Sequence, residues 1–289
     1  MAPLIRQRMP AKINLWLEVL GKREDGYHDL SSLMLPIGVY DELAVRLIDQ
    51  MPIRVSCDHP DVPLDERNLA WRAASSLLKH VGARQGVEIR IEKAIPVGAG
   101  LGGGSADAAG VLLALDRCLG TRIPGEELHA LARGLGADVP FFLYRRPALA
   151  QGIGDVLEWV DGIPSYPVLC IKPPIMVSTG WVYGSLKLTT PKLSTRLDRL
   201  RGQPWRIADL LANDLESVTL DAHPLLREIK DWLLDNRALG ALMSGSGPTI
   251  FGVFREEEAL RHACEAAGRV WTDCWVAATR SLGAPAAID

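Results

Sequence analysis

Apolar and polar residues alternate from Ala11 to Leu20, with Ile13, Leu15, Leu17 and Val19 on one side and Lys12, Asn14, Trp16 and Glu18 on the other. Successive side chains of a strand point to opposite faces, so this stretch predicts a strand with one apolar face. The same period returns at Asp41 to Ile48, Ile53 to Cys57 and Val87 to Glu92. Elsewhere the spacing becomes helical. Leu69, Ala73, Leu77 and Val81 share one face of a segment starting near Asp65, and Leu128, Leu131, Ala132 and Leu135 share another. Between them Ala106 to Cys118, rich in alanine and leucine, predicts a helix for which Ser105 is a suitable N-cap. Strands joined by short turns and followed by helices describe an α+β domain.

The second half patterns differently. Tyr166 to Lys172 reads as a strand, Thr179 to Leu188 as a short helix, and Trp205 to Leu215 and Leu225 to Leu234 as helices. Leu239 to Met243, Thr249 to Phe254, a helix at Glu256 to Ala267 and a strand at Arg269 to Ala278 complete a split β-α-β layer. The proline-rich stretch Pro164 to Pro174 places the junction, dividing the chain into 1–163 and 164–289. Pro191 to Pro204 is basic and polar and reads as an exposed loop or ragged helix.

A chain of 289 residues holds one large or two ordinary domains, and 48% hydrophobic with 23% charged residues is ordinary for a soluble globular protein. A net charge of −3 with both signs interspersed implies neither a nucleic-acid nor a membrane partner. The five cysteines, Cys57, Cys118, Cys170, Cys264 and Cys274, form no C-x-x-C pair, which fits buried thiols in a reducing cytoplasm; His59 and His262 are too few to complete a metal site with them. The segment Met1-Ala-Pro-Leu-Ile-Arg-Gln-Arg has no apolar core of signal-peptide length. Ala94 to Leu115 carries only the charge of Asp107, but a proline and five glycines in its first half make it loop plus helix, not a membrane span.

Those glycines are the densest chemical signal in the chain. Pro96 to Ala106 reads Pro-Val-Gly-Ala-Gly-Leu-Gly-Gly-Gly-Ser-Ala, between a predicted strand and a predicted helix. Glycines remove the Cβ atoms that would hold a ligand off, so backbone N–H groups can converge on an anion where the positive end of the helix points. A polyphosphate is the expected ligand; a turn made only for close packing is the alternative. Gly98, Gly100 and Gly103 satisfy G-x-G-x-x-G, but two successive helices follow where a dinucleotide fold needs a second parallel strand, and no Gly-Lys-Ser/Thr closes the run as in a Walker A loop.

Other candidates come in ones and twos. Lys12 and Asn14 point the same way roughly 7 Å apart, to flank a polar ligand or to form a solvated face. The turn Gly21-Lys-Arg-Glu-Asp-Gly26 delivers Tyr27, a flat stacking surface, and His28, a donor and acceptor for the edge of a heterocycle. In Gly134-Leu-Gly-Ala-Asp-Val-Pro140, Gly136 is placed to stop one helix, and Asp138 either caps the next turn or serves as a base. Met243-Ser-Gly-Ser-Gly-Pro248 is a tight turn or a second set of anion-facing N–H groups. Asn68 suits either a helix cap or a contact to adenine.

Taken together these stretches resemble the GHMP kinase superfamily, the group of galactokinase, homoserine kinase, mevalonate kinase and phosphomevalonate kinase. Ala11-Lys-Ile-Asn-Leu-Trp-Leu resembles its first motif, Pro96 to Ala106 its phosphate-binding motif and Ser244-Gly-Ser-Gly-Pro-Thr its third, in the family's order and across nearly the whole chain. Asp25-Gly-Tyr-His-Asp-Leu and Leu135-Gly-Ala-Asp-Val-Pro-Phe-Phe narrow the resemblance to the branch whose alcohol substrate is a cytidine diphosphate ester of methylerythritol, in non-mevalonate isoprenoid synthesis.

The resemblance implies a two-domain GHMP kinase fold, with an N-terminal ribosomal-protein-like α+β domain and a C-terminal ferredoxin-like split β-α-β domain. It implies an ATP-dependent kinase using Mg²⁺, monomeric or weakly dimeric, with ATP and the cytidine diphosphate ester as its partners. Lys12 and Asp138 match the family's catalytic pair. Pro96, Val97, Gly98, Ala99, Gly100, Leu101, Gly102, Gly103, Gly104, Ser105 and Ala106 match its ATP loop, with Ser105 near the metal and no protein group assigned as metal ligand. Asn14, Tyr27 and His28 match residues that hold the cytidine substrate, Tyr27 stacking on the base and His28 reading its edge. Thr179 and Tyr183 align with positions closing that pocket. Ala99 stands where many relatives have glycine, which bears on the local backbone angle alone.

Overall fold

A computed structural model of the chain describes residues 3–49, 52–187 and 196–283. Two long strands organise it, β1 (Ile5–Lys22) and β2 (His28–Ile48), neighbours in one sheet. The residues form two compact units that interleave along the sequence. The first takes the chain up to Ala11, then Val39–Val97 and Gly102–Arg145; the second takes Lys12–Gly38, Gly98–Leu101 and everything from Arg146 onward. Each long strand therefore contributes one stretch to each unit.

The first unit continues with β3 (Ile53–Cys57), α1 (Leu69–Val81), β4 (Gly86–Glu92), α2 (Gly103–Leu119), α3 (Gly125–Leu135) and α4 (Val139–Tyr144). Strand β4 runs antiparallel to β2, pairing Glu92 with Glu42 and Gly86 with Ile48, and β3 runs parallel to β4. Helix α1 starts at Leu69 because Asp65 to Arg67 closes a turn of its own: the Arg67 N–H and guanidinium both bond the Asp65 carboxylate. Asn68 then caps the helix, its side-chain oxygen accepting the Ala70 N–H at 2.8 Å. The buried face is Ala70, Ala73, Ala74, Leu77 and Leu78, so Leu69 and Val81 lie at its edge and not on it.

Helix α2 starts at Gly103, with Gly102 in the left-handed region at φ 76°, so Ser105 lies inside the first turn and is not the N-cap. Its alanines Ala106, Ala108, Ala109 and Ala114 are fully buried. A Cβ at Gly110 would lie 2.3 Å from Leu43 Cδ1 and 2.6 Å from Met9 Cγ, so glycine sets how closely the helix lies on the sheet.

The second unit contains β5 (Ala148–Gln151), β6 (Val156–Trp159), β7 (Pro167–Lys172), α5 (Thr179–Ser185), α6 (Arg196–Gly202), β8 (Ala212–Asn213), α7 (Glu216–Ala222), α8 (Leu225–Asp235), β9 (Gly240–Met243), β10 (Ile250–Val253), α9 (Glu257–Val270) and β11 (Trp275–Arg280). Strand β5 pairs antiparallel with β2 at Ser32 to Met34 and with β6, and β8 pairs parallel with β1 at Trp16 and Leu17. A separate antiparallel sheet has the order β11-β7-β10-β9, the split β-α-β arrangement expected of this half. Helices α7, α8 and α9 bury Leu220, Leu226, Ile229, Leu233, Leu260 and Ala263 with Leu169, Ile171 and Ile250 of that sheet.

The expected helix at Trp205 to Leu215 is instead a short 3-10 turn at Ile207–Asp209 followed by β8. Pairing with Trp16 and Leu17 fixes Ala212 and Asn213 as strand, against their local pattern. The last strand was expected from Arg269, but α9 holds its helix to Val270 and the strand starts at Trp275. Of Pro191 to Pro204, residues 191–195 lie outside the described residues and Arg196–Gly202 forms α6; Leu188, the expected end of the helix at Thr179, also lies outside them. The cysteines are free, but only Cys170 is buried; Cys57, Cys118, Cys264 and Cys274 are half-buried. Among the described residues no helix is long and apolar enough to cross a membrane.

Candidate active site

Helix α2 opens the glycine-rich stretch toward solvent. No side chain caps its N-terminus and no acidic residue stands in its first turn, so the orphan N–H groups of a 17-residue helix have no built-in acceptor there. Gly104 is exposed, and a Cβ placed on it would meet nothing nearer than Leu69 Cδ1 at 3.8 Å. Internal packing does not require glycine at this position, and its absent side chain leaves room for close approach to the backbone.

Under that turn lies a buried charge cluster that periodicity did not reveal. Lys93 Nζ bonds Asp41 and, at 2.9 Å, Asp107, with its own side chain 3% exposed; a Cβ on Gly103 would lie 3.1 Å from the same nitrogen. Asp41 also accepts the N–H groups of Ala94 at 2.8 Å and Ile95 at 2.9 Å, which fixes the start of the loop. Burial opposes the Lys93 charge, but Asp107 and Asp41 outweigh it and hold its pKa above the ordinary lysine value. Burial, moderated by Lys93, pushes Asp107 upward, and its Oδ1 is buried with no hydrogen-bond partner.

Asp138 also belongs to the first unit. Gly136 ends α3 by donating its N–H to the Ala132 carbonyl at 3.3 Å, and Val139 N–H bonds the Gly136 carbonyl at 3.1 Å. The half-buried Asp138 side chain makes no capping hydrogen bond to α4. Its position is set by the backbone on either side, with Pro140 in the first turn of the helix.

The remaining candidates meet in the second unit. Lys12 and Asn14 do not form a solvated face: they are 4% and 3% exposed, and Lys12 Nζ donates to Asn14 Oδ1 at 2.7 Å. Lys12 also donates its backbone N–H to the Leu101 carbonyl at 3.0 Å. Residues 98–101 are tied further to the turn between β9 and β10, through Ser244 Oγ to the Gly100 carbonyl at 2.9 Å and Thr249 N–H to the Ala99 carbonyl at 3.3 Å. Ala99 is buried and is not among the positive-φ residues, so alanine costs no backbone strain there. A Cβ at Gly245 would lie 3.4 Å from Lys12 Nζ, which places the ammonium against this turn.

Asn213, on β8, is the turn's scaffold: its Nδ2 donates to the Met243 and Gly245 carbonyls at 2.8 and 2.7 Å, and its Oδ1 accepts the Leu215 N–H at 2.9 Å. Thr179 and Ser246 hydroxyls bond at 2.8 Å, bringing α5 to the same turn. From α5, Tyr183 stacks on His28 with ring centroids 5.2 Å apart and planes 28° apart. Tyr27 stands beside them, 61% exposed. Its turn is ordered by Arg23, which bonds Asp25 and Asp29, while Asp25 accepts the Tyr27 N–H at 3.1 Å. The Arg23 hydrogen bond holds the Asp25 carboxyl below its usual range.

Lys12, Asn14, Gly98 to Leu101, His28, Thr179 and Tyr183 are thus joined within one unit, while Pro96, Val97, Gly102 to Ala106 and Asp138 belong to the other. Among the described residues no group of three or more His, Cys, Asp or Glu side chains could hold a metal ion.

Residues 68–146 match the GHMP kinases N terminal domain and residues 197–273 the GHMP kinases C terminal domain. The chain belongs to the GHMP kinase family of ATP-dependent small-molecule phosphotransferases, and it is an enzyme of that class. It is 49% identical over 256 residues to a 4-diphosphocytidyl-2-C-methyl-D-erythritol kinase of Syntrophotalea carbinolica, covering 89% of this chain and 91% of that protein. It is 48% identical over 275 residues to the protein of that name from Citrifermentans bemidjiense, covering 94% and 97%. A crystal structure of 4-(cytidine 5'-diphospho)-2C-methyl-D-erythritol kinase matches with a TM-score of 0.83 at 37% identity, covering 96% of this chain and all 100% of that one. Homoserine kinase of Cytophaga hutchinsonii shares the fold, with a TM-score of 0.74 at 23% identity over 98% of this chain and 97% of that one.

Proposed function

We propose that this enzyme transfers the γ-phosphoryl group of ATP to the 2-hydroxyl of 4-(cytidine 5'-diphospho)-2-C-methyl-D-erythritol, a step of non-mevalonate isoprenoid synthesis. The observation that carries the reading is the contact series in the second unit, where the His28–Tyr183 ring pair, Thr179, the Ser244 to Pro248 turn and Lys12 are linked one to the next. A simple alcohol such as mevalonate or homoserine has no base for such rings; a cytidine ester does. The names of the relatives at 49% and 48% identity support the same substrate.

In this reading Asn14, Tyr27, His28, Thr179 and Tyr183 hold the cytidine diphosphate, with Tyr27 against the base and His28 at its edge. Backbone N–H groups of Pro96 to Ala106, above all those of the first turn of α2, bind the ATP phosphates. Asp138 accepts the proton of the 2-hydroxyl as its oxygen forms the bond to the γ-phosphorus and the bond to the ADP oxygen breaks. The Lys12 ammonium offsets charge on the group in transfer. Ser105, in the first turn of α2, would be the protein hydroxyl offered to a Mg²⁺ ion that arrives with the phosphates. When bound, Mg²⁺ supplies neutralisation of the phosphate charge.

A coupled assay of ADP release over a panel of alcohols tests this. Release is expected with the cytidine diphosphate ester and not with mevalonate or homoserine; turnover of either simple alcohol without turnover of the ester overturns the assignment.

A further inference from the structure

We propose that Ser32 is a positioning residue for phosphoryl transfer: its hydroxyl anchors the nitrogen end of the Asn14 amide, and thereby fixes the oxygen to which the Lys12 ammonium donates. The proposal rests on the reading of Lys12 given above and assigns a role to a residue that neither motif nor spacing singled out.

The geometry is a single chain of hydrogen bonds. Ser32 Oγ donates to the Trp16 carbonyl at 2.7 Å, Asn14 Nδ2 donates to Ser32 Oγ at 2.7 Å, and Lys12 Nζ donates to Asn14 Oδ1 at 2.7 Å. Its two ends have no freedom of polarity. A backbone carbonyl only accepts and an ammonium only donates, so the one hydroxyl proton of Ser32 is committed to Trp16 and its oxygen is left to accept. Asn14 must then present its NH₂ to Ser32, which leaves its carbonyl oxygen for Lys12. Every orientation between Trp16 and Lys12 follows from those end groups.

The chain is also dry and stiff. Lys12, Asn14, Trp16 and Ser32 are 4%, 3%, 1% and 1% exposed, so no bulk water replaces a lost partner. Lys12, Asn14 and Trp16 are alternate residues on one face of β1, and Ser32 lies on the neighbouring β2, whose other edge is held at this point by pairing with Ala150 of β5. Without the Ser32 hydroxyl, the buried Asn14 NH₂ loses its acceptor, and nothing at that end fixes where the amide lies; its oxygen can then move, and the Lys12 ammonium with it.

The test uses Ser32→Ala, Ser32→Thr, Lys12→Ala and the Ser32→Ala/Lys12→Ala double variant of the full chain, each checked for an intact thermal transition. Ser32→Ala is expected to lower kcat about 10-fold or more, with both KM values within about 3-fold, and Ser32→Thr to restore kcat. In the Lys12→Ala background the same Ser32→Ala change is expected to cost nothing further, because the group it positions is gone. If the alanine variant does not fold, Ser32→Cys keeps the volume with a much weaker hydrogen bond, and its kcat is expected to fall in the same way. Unchanged kcat in Ser32→Ala or in Ser32→Cys, or an equal loss with and without Lys12, overturns the role of Ser32 alone. Near-normal turnover in Lys12→Ala by itself overturns the reading on which it rests.

Discussion

A methyl group on Gly100 would lie 2.2 Å from the carbonyl oxygen of Ser244. That is inside any tolerable contact, and the near atom is backbone with nowhere to move. Gly100 also sits at φ +75°, where an L-residue costs about 1–2 kcal/mol before any clash. Gly100→Ala is therefore expected to lose about 2 kcal/mol or more, read as a lowered denaturation midpoint. Gly98 is the control: its added Cβ meets only the flexible Met176 side chain, 2.9 Å away, so Gly98→Ala is expected to lose less.

Gly104 should behave in the opposite sense. It is in the first turn of α2 with open space where a Cβ would go, so Gly104→Ala is expected to keep or raise stability, by up to about 1 kcal/mol. The same methyl would stand where phosphate is proposed to approach. A KM for ATP raised about 10-fold or more at unchanged stability is the expected signature, and an unchanged KM would remove Gly104 from the phosphate site.

Asp138→Asn keeps the size and shape of the side chain, so the fold is expected to hold, checked by an unchanged thermal transition. As the proposed base it is expected to lower kcat by about 10²- to 10⁴-fold while the KM for ATP stays within a few-fold. Steady-state kinetics with both substrates varied would show it.

The His28–Tyr183 pair predicts a different kinetic pattern. An aromatic contact of this kind contributes about 0.5–1.5 kcal/mol, so Tyr183→Leu is expected to raise the KM for the cytidine ester about 2- to 12-fold and to leave that for ATP alone. Equal changes in both would point to a general loosening of α5.

Burial pushes the Asp107 carboxyl up to about 7, with Lys93 pulling it back and Asp41 adding to the rise. Its folded pKa thus stands above the ordinary carboxylate value, so the folded state binds the extra proton in between. The sign follows: Asp107 favours the fold at low pH, and that contribution is lost as pH rises from about 4 through about 7. Asp107→Asn should remove this slope, making the difference in unfolding free energy between variant and parent grow with pH across that window. Denaturant titrations at several pH values measure it.

Much of the architecture was legible because alternation and helical spacing report burial, and burial decides most elements here. The alternation at Ile13 to Val19 located β1, and the runs at Leu225 and Glu256 located α8 and α9. Where the pattern misled, a distant partner had overruled it. Ala212 and Asn213 look helical until Trp16 and Leu17 pair with them. The polar side of β1 looks solvated until Ser32 takes the Asn14 amide. Pairing and donor accounting of this sort join residues far apart in sequence, so no window along the chain contains them. The same holds for Asp41, Lys93 and Asp107, three ordinary charges in sequence that become one buried cluster in space.

The interleaving of the two units limits how the gene can be taken apart. The backbone passes from one unit to the other at 11/12, 38/39, 97/98, 101/102 and 145/146. No single excision yields either half whole, and two of those passages bracket just the residues 98–101. Insertions and fusions are consequently best tolerated at exposed turns inside one unit, such as Gly120 to Pro124 between α2 and α3, and shuffling of halves between relatives would need several seams to match at once.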